Sequence, residues 1–305
     1  MLIKNPMIFC IVFTLLFVGC TFSVQNDVNQ TPFAGSDDST PSPTTFHTTT
    51  RVPAVSFADE PYLVATPEME TMVPGESGNI TLDDVENSAK VHIPILLFHH
   101  VSESIESRYS LTPANFSEIM LWLSDTGYKT ISMQDLVDAI SGKSQPPEKA
   151  IIITFDDGNQ NVYNNAFPIM EEVGFSGVIC VVANRIGVAG FLSADDLKTL
   201  NESGWDICNH SMTHMDLNID HERLRFEMGD SRKRIQIVTG LEVNWFAYPF
   251  GKADKTVLDW AKRLGYTGAF GLGITSDHSL ESLYYLSRIE ISSDTTLIQL
   301  SGMLN

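Results

Sequence analysis

Ile151-Ile152-Ile153-Thr154-Phe155-Asp156-Asp157-Gly158 is the stretch on which the reading of this chain turns. Three β-branched apolar residues followed by Thr-Phe predict a strand buried on both faces. Two adjacent carboxylates arrive where that strand should stop, and the glycine after them permits a tight turn. Successive strand side chains face opposite ways, so inside the strand the two aspartates could not serve one site. At the strand tip a turn can bring both toward one cleft. Taken alone, Asp-Asp-Gly is an ordinary polar turn. A buried strand gains nothing from two carboxylates at its tip unless a cation or proton chemistry holds them.

Outward from this stretch, strand and helix patterns alternate from residue 91 to the end. Residues 93–98, 178–182, 205–208, 245–248, 267–270 and 286–291 read as strands, with a short one at 128–131. Thr112-Pro113 opens a helix with a capping hydroxyl and a first-turn proline. Ser193-Ala194-Asp195-Asp196 resembles a capping box, with Asp in the acidic position. A long charged helix is predicted over 220–238, further helices after residues 162 and 255, and a closing one at 297–303. Such alternation predicts an α/β fold with a parallel sheet, and this many units favours closure into a barrel. Polar residues cluster at the strand ends: His99-His100 after Phe98, Asp156-Asp157 after Phe155, Asn209-His210 after Cys208, and Tyr248-Pro249 after Ala247. In a parallel barrel those ends share one face, where active sites are built.

The 305 residues are 43% hydrophobic and 19% charged, ordinary for a globular protein, but the formal net charge is −19. No basic stripe exists to neutralise phosphates, which argues against nucleic-acid binding. Lys4, an apolar run over 7–18, and Gly19-Cys20 have the form of a secretory signal, too short for a comfortable membrane span. Phe17-Val18-Gly19-Cys20 resembles the bacterial lipobox, whose cysteine is lipidated, although Phe17 stands where Leu is usual. The expectation is an exported protein held through Cys20 on a membrane, facing outward or the periplasm, and otherwise secreted. Residues 21–90 are acidic and rich in Ser, Thr and Pro, and read as a disordered spacer. Cys180 and Cys208 lie in apolar stretches and read as two buried free thiols, with one disulfide the alternative in an oxidising compartment. A monomer is the default.

His210-Ser211-Met212-Thr213-His214 sets two imidazoles four apart, which on a helical turn share a face. Alone, that spacing is as consistent with two surface histidines. Beside an aspartate pair it supplies two nitrogens and a carboxylate, a set that leaves positions open for water and substrate, as catalytic zinc sites do.

Thr154 to Gly158, His210 to His214 and Phe246-Ala247-Tyr248-Pro249-Phe250-Gly251 together resemble the successive motifs of the polysaccharide deacetylases, the NodB-homology domain of carbohydrate esterase family four. The resemblance covers residues 91–305. It implies a distorted (β/α)7 barrel and metal-dependent removal of acetyl groups from a sugar polymer such as poly-N-acetylglucosamine, peptidoglycan or a chitin-like chain. By resemblance Asp156 is the general base, and Asp157, His210 and His214 hold the metal, zinc first with cobalt or nickel as alternatives. A backbone N–H at the position of Phe250, within the Tyr248 to Gly251 motif, would hold the oxyanion. Many relatives carry Arg where Ala247 stands here, and place an acid histidine late, where this chain has Leu286-Ser287-Arg288. His278 lies in a polar loop and is a poor substitute. Leu97-Phe98-His99-His100-Val101 instead resembles the poly-N-acetylglucosamine-deacetylating subgroup, in which the early histidine, here His99, is the acid. His100 and Asn209 are secondary candidates, and Arg288 is a stand-in for the missing Arg. Two other readings stay open: an O-acetyl esterase on xylan-type polymers, and a carbohydrate-binding protein that retains the metal but has lost turnover.

Overall fold

The strand Ala150–Phe155 is buried along its whole length, as three consecutive isoleucines require of a segment with apolar groups on both faces. The computed structural model describes residues 88–105 and 107–304. The expected leader and the expected spacer as far as residue 87 lie outside them. In chain order the strands are β1 (Val91–His92), β2 (Ile95–Phe98), β3 (His100–Val101), β4 (Ser110–Leu111), β5 (Lys129–Thr130), β6 (Ala150–Phe155), β7 (Val178–Val181), β8 (Asp206–Asn209), β9 (Trp245–Ala247), β10 (Gly268–Phe270), β11 (Asp277–His278) and β12 (Ile289–Glu290).

The main path of the large sheet runs β10-β9-β8-β7-β6-β2-β12, every neighbour parallel, while β5 pairs with β6 off that path. The sheet curls until its ends meet. Leu286, just ahead of β12, bridges Phe270 of β10, and the N–H groups of Gly271 and Gly273 donate to the carbonyls of Leu286 (2.8 Å) and Arg288 (3.1 Å). The architecture is thus α/β with a parallel, curled sheet; the join is one bridge and a few hydrogen bonds rather than a full strand ladder.

Local signals act where the sequence predicts. Thr112 Oγ1 accepts from the Asn115 N–H (3.1 Å) to cap the helix Pro113–Asp125, and Ser193 and Asp196 cap Ala194–Glu202 reciprocally. The single long helix expected over 220–238 is instead a short 3-10 turn His221–Arg223, a π-helical stretch Arg225–Asp230 and the helix Ser231–Thr239. The wider π turn leaves Glu227 fully buried beneath the sheet's carboxyl end. Among the described residues, contacts to the domain include positions before residue 91: the Ala89 N–H donates to Ile140 O, and Lys90 pairs with Asp277. Among the described residues no helix is long and apolar enough to cross a membrane.

Strand parity sorts the site candidates that stand on a strand or next to its end. Ile95, Ile152, Cys180, Cys208, Trp245, Ala247, Phe270 and Leu286 belong to one apolar cluster, lining the inside of the curl. Phe98, Ile153, Phe155, Ile179 and Ile207 belong to another, against outer helices. Alternation therefore aims His99, Asp156, His210 and Arg288 inward, and His100, Asn209 and Tyr248 outward. Cys180 and Cys208 oppose one another in register on that inner face, with Cα atoms 4.2 Å apart, and form a disulfide rather than two free thiols. Two sulfurs facing each other from paired residues of neighbouring strands can bond without backbone movement, a juxtaposition that a sequence separation of 28 conceals.

Candidate active site

A cleft of about 250 Å³ opens at the carboxyl ends of the strands, lined among others by His99, Asp156, Asp157, His210, His214 and Arg288. Asp156 arrives there by parity from β6. Asp157, which parity would turn away, has φ +75°, a left-handed conformation that swings its carboxylate back into the cleft. Gly158 follows, also at positive φ, where a Cβ would sit 2.9 Å from Val181 Cγ1. The turn proposed for the strand tip is therefore built from Asp157 and Gly158 together.

The two aspartates live in different surroundings. Asp156 is almost fully buried, and the Arg288 guanidinium grips both its oxygens at 2.7 Å. Burial alone would raise its pKa; Arg288, with help from His210 and His99, holds the carboxyl well below the usual carboxylate range. Arg288 is itself buried and donates further to Gly271 O (3.1 Å) and Thr154 Oγ1 (3.3 Å). Asp157 instead converges with His210 and His214, one ligand atom of each lying within 4.8 Å of the others.

These three residues fit a divalent cation. The His210 Nδ1–H donates to Ala247 O at 2.9 Å, which leaves Nε2 with its lone pair facing the cleft. Burial, with the neighbouring His210, pushes His214 down to about 4 against the pull of Asp157, so its imidazole is neutral and able to ligate at neutral pH. The two rings stand 4.8 Å apart between centroids. They do not share a helical turn, as their spacing suggests, but flank an irregular loop in which Ser211 and His214 have positive φ. The cation itself is not part of the structure.

His99 projects into the cleft against Tyr109, with ring centroids 4.8 Å apart, and burial lowers its pKa against the attraction of Asp156 and Asp157. No hydrogen-bond partner among the described residues reaches its Nδ1. Phe250 is half exposed with φ +59°, its ring edge-on to His214, and Gly251 lines the cleft. A Cβ on Gly251 would meet Leu272 at 2.3 Å. Pro249 is buried. Tyr248 is buried outside the cleft, its hydroxyl donating to Tyr284 O.

Two secondary candidates are not in the cleft. His100 faces outward, its ring nitrogens against Asn159 and Asn161. Asn209 is buried behind β8, its amide donating to Ser231, Tyr266 and Met228. His278 is not in a polar loop but buried in β11. The structure adds residues that the sequence reading passes over. Glu290 lines the cleft two positions after Arg288 and pairs with Arg108, whose guanidinium lies over Tyr109. The spacing of two along the last strand was the available signal. Arg185 donates to Asp157 Oδ1 at 3.1 Å, and nothing in its local sequence announces that.

Residues 143–269 match the family model for polysaccharide deacetylase. YxkH of Bacillus subtilis, named as a polysaccharide deacetylase, is 27% identical over 213 residues, spanning 68% of this chain and 74% of that protein. The poly-beta-1,6-N-acetyl-D-glucosamine N-deacetylase of Staphylococcus aureus is 22% identical over 214 residues, 65% of this chain and 73% of its own. The crystal structure of the Streptococcus pyogenes deacetylase PplD with acetate superposes with a TM-score of 0.66 at 25% identity, covering 71% of this chain and all of that one. With the motif residues gathered at one end of a curled parallel sheet, the chain carries a polysaccharide deacetylase domain, matched over residues 143–269, of a family of hydrolases that act on the N-acetyl amide bonds of polysaccharides.

Proposed function

We propose that this protein removes N-acetyl groups from an extracellular or cell-surface polymer of the poly-N-acetylglucosamine kind, using a divalent cation held by Asp157, His210 and His214. The observation that carries the reading is the division between the aspartates: Asp157 converges with the two histidines while Arg288 occupies both oxygens of Asp156. When bound, the cation, zinc by the nature of its nitrogen and oxygen donors, polarises the acetyl carbonyl and acidifies a water. Asp156 then takes the proton of the attacking water. A carboxylate held so firmly ionised is a weak base, so it works only on a water that is already acidic. The backbone N–H of Phe250 stabilises the developing oxyanion. His99 delivers a proton to the departing nitrogen, which as an amide anion would be a very poor leaving group.

Arg288 takes the orienting part of the Arg that relatives carry at the position of Ala247, which favours turnover over a binding protein without activity. The substrate class rests on His99 standing at the tip of the first strand of the curled sheet and on the staphylococcal relative. Export with a lipid on Cys20 remains part of this proposal, and the Cys180–Cys208 disulfide supports an oxidising compartment. Acetate release by the purified full chain with added zinc or cobalt tests the activity. The panel is poly-N-acetylglucosamine, chitin oligomers, peptidoglycan and acetylated xylan, with Asp156→Asn as control. Release from the first that disappears in the control is expected; release from xylan alone would move the assignment to an O-acetyl esterase, and silence on all with metal bound would remove it. A Cys20→Ala chain that partitions with membranes as before would sink the anchor.

A further inference from the structure

Between the two histidines that face Asp157, the chain takes an improbable path. Ser211 has φ +70° and His214 φ +66°, conformations that non-glycine residues avoid at roughly 1–3 kcal/mol each. Such a path persists only where the surroundings over-determine it. Here they do so chiefly through a side chain outside the cleft. Glu227 is fully buried. Its Oε2 accepts from the N–H groups of Met212 (3.1 Å) and Thr213 (2.9 Å), and its Oε1 accepts from Thr213 Oγ1 (2.8 Å) and Arg223 (3.2 Å). Its backbone carbonyl accepts from Met212 N–H (3.0 Å) and from Ser231 Oγ (2.6 Å). From the other side, Ala183 and Asn184 donate their N–H groups to the carbonyls of Ser211 and Met212, and Ser211 Oγ accepts from the His214 N–H.

We propose that Glu227 is a positioning residue of the metal centre: by holding the 212–213 amides it locks the 211–214 loop in its strained path and so aims His214 at the point His210 and Asp157 already face. The argument rests on the reading of those three residues as a metal site. Glu227 comes from the π-helical stretch Arg225–Asp230, a distortion that α-helices adopt most often at functional sites. Asn209 belongs to the same device. It reaches from the end of β8, next to His210, to Met228 O and Ser231 Oγ, so both histidines are tied to one turn of that stretch. Without the carboxyl, the Thr213 N–H and hydroxyl lose their acceptor, Met212 N–H keeps only the Glu227 carbonyl, and the loop can relax to ordinary backbone angles. That relaxation would rotate His214 away while leaving Asp157 and His210 in place.

The test is zinc affinity by chelator competition, and the visible spectrum of the cobalt form, on the full chain and its variants. Glu227→Ala should weaken zinc about 10–100-fold, as loss of a group that orients a metal ligand does, and shift the cobalt bands. Glu227→Gln keeps one oxygen for the two amides and should stay near the parent in both. Leu300→Ala, a cavity under the closing helix Leu297–Met303 at a residue that does not line the cleft, should lower stability yet leave zinc affinity unchanged. Equal losses for Gln and Ala, or a folded Glu227→Ala with parental affinity and spectrum, would overturn the proposal. If Glu227→Ala does not fold, Thr213→Val, which removes one bond at an exposed residue, decides: weaker zinc with altered cobalt bands supports the lock and unchanged values overturn it. Parental zinc binding that survives His210→Ala would instead sink the metal-site reading itself.

Discussion

Arg288→Met takes a guanidinium that is 1% exposed away from a carboxylate that is 3% exposed. Both 2.7 Å charge-assisted bonds disappear together. Met fills much of the vacated space, so the loss is electrostatic rather than a cavity. A buried charge deprived of its partner costs about 3–5 kcal/mol. The effect must also depend on pH. In the parent, the depressed Asp156 pKa contributes stability that is present above the ordinary carboxylate value and lost as pH falls through the folded one. In the variant, burial is opposed only by His210 and His99, the carboxyl rises, and the fold comes to prefer the protonated acid. The destabilisation is then largest at neutral pH and shrinks toward pH 4, where the unfolded chain also takes up its proton. Urea unfolding of parent and variant at pH 7 and at pH 4.5 reads both numbers. Adding Asp156→Asn to Arg288→Met removes the orphaned charge and should recover at least about 2 kcal/mol at pH 7. A loss under about 1 kcal/mol that is the same at both pH values, with no recovery in the double variant, would refute the reasoning.

Three further outcomes are expected. Asp157→Ala or His214→Ala should abolish zinc retention after dialysis, whereas Asp156→Asn should keep zinc and lose turnover; zinc lost from Asp156→Asn would reverse the roles of the aspartates. His99→Gln should leave zinc content intact and slow amide hydrolysis by about 10²–10⁴-fold, with a much smaller effect on activated esters, whose leaving groups need less protonation. Equal slowing of both substrates would argue against proton delivery by His99. Burial, outweighing the pull of Asp277 and the Ile93 backbone, holds His278 down to about 4. The unfolded imidazole takes up a proton below about 6.5, so the unfolded state binds more protons across that window and stability falls as pH drops through it, by about 3 kcal/mol in all. His278→Phe should flatten this part of the pH dependence in denaturant titrations, and an unchanged slope would show that other groups cause it.

Much of the fold was legible because its signals are local. Consecutive isoleucines ahead of Asp156, the Thr112 and Ser193 caps and the polar residues at strand ends each act over a few residues. The failures have equally local causes. The spacing of His210 and His214 mimics a helical turn, but hydrogen bonds donated to Glu227 and received from Ala183 and Asn184 hold that segment in a loop. The stretch over 220–238 carries a helical pattern throughout, yet part of it widens into a π turn around buried Glu227.

The sequence by itself determined the alternation of strands and helices, the aspartate pair at a strand tip, and by parity which side of each strand His99, Asp156 and His210 occupy. Those properties follow from a two-residue period and short-range turn chemistry. Only the tertiary structure decided that Arg288 grips Asp156 across 132 residues, that Cys180 bonds Cys208, and that Glu227 ties down the loop between the two histidines. The physical reason is the strand order of the sheet: β12 pairs with β2 beside β6, and β7 pairs in register with β8. That order brings together groups that no local pattern relates, and in a buried site the partner each charge finds sets what it can do.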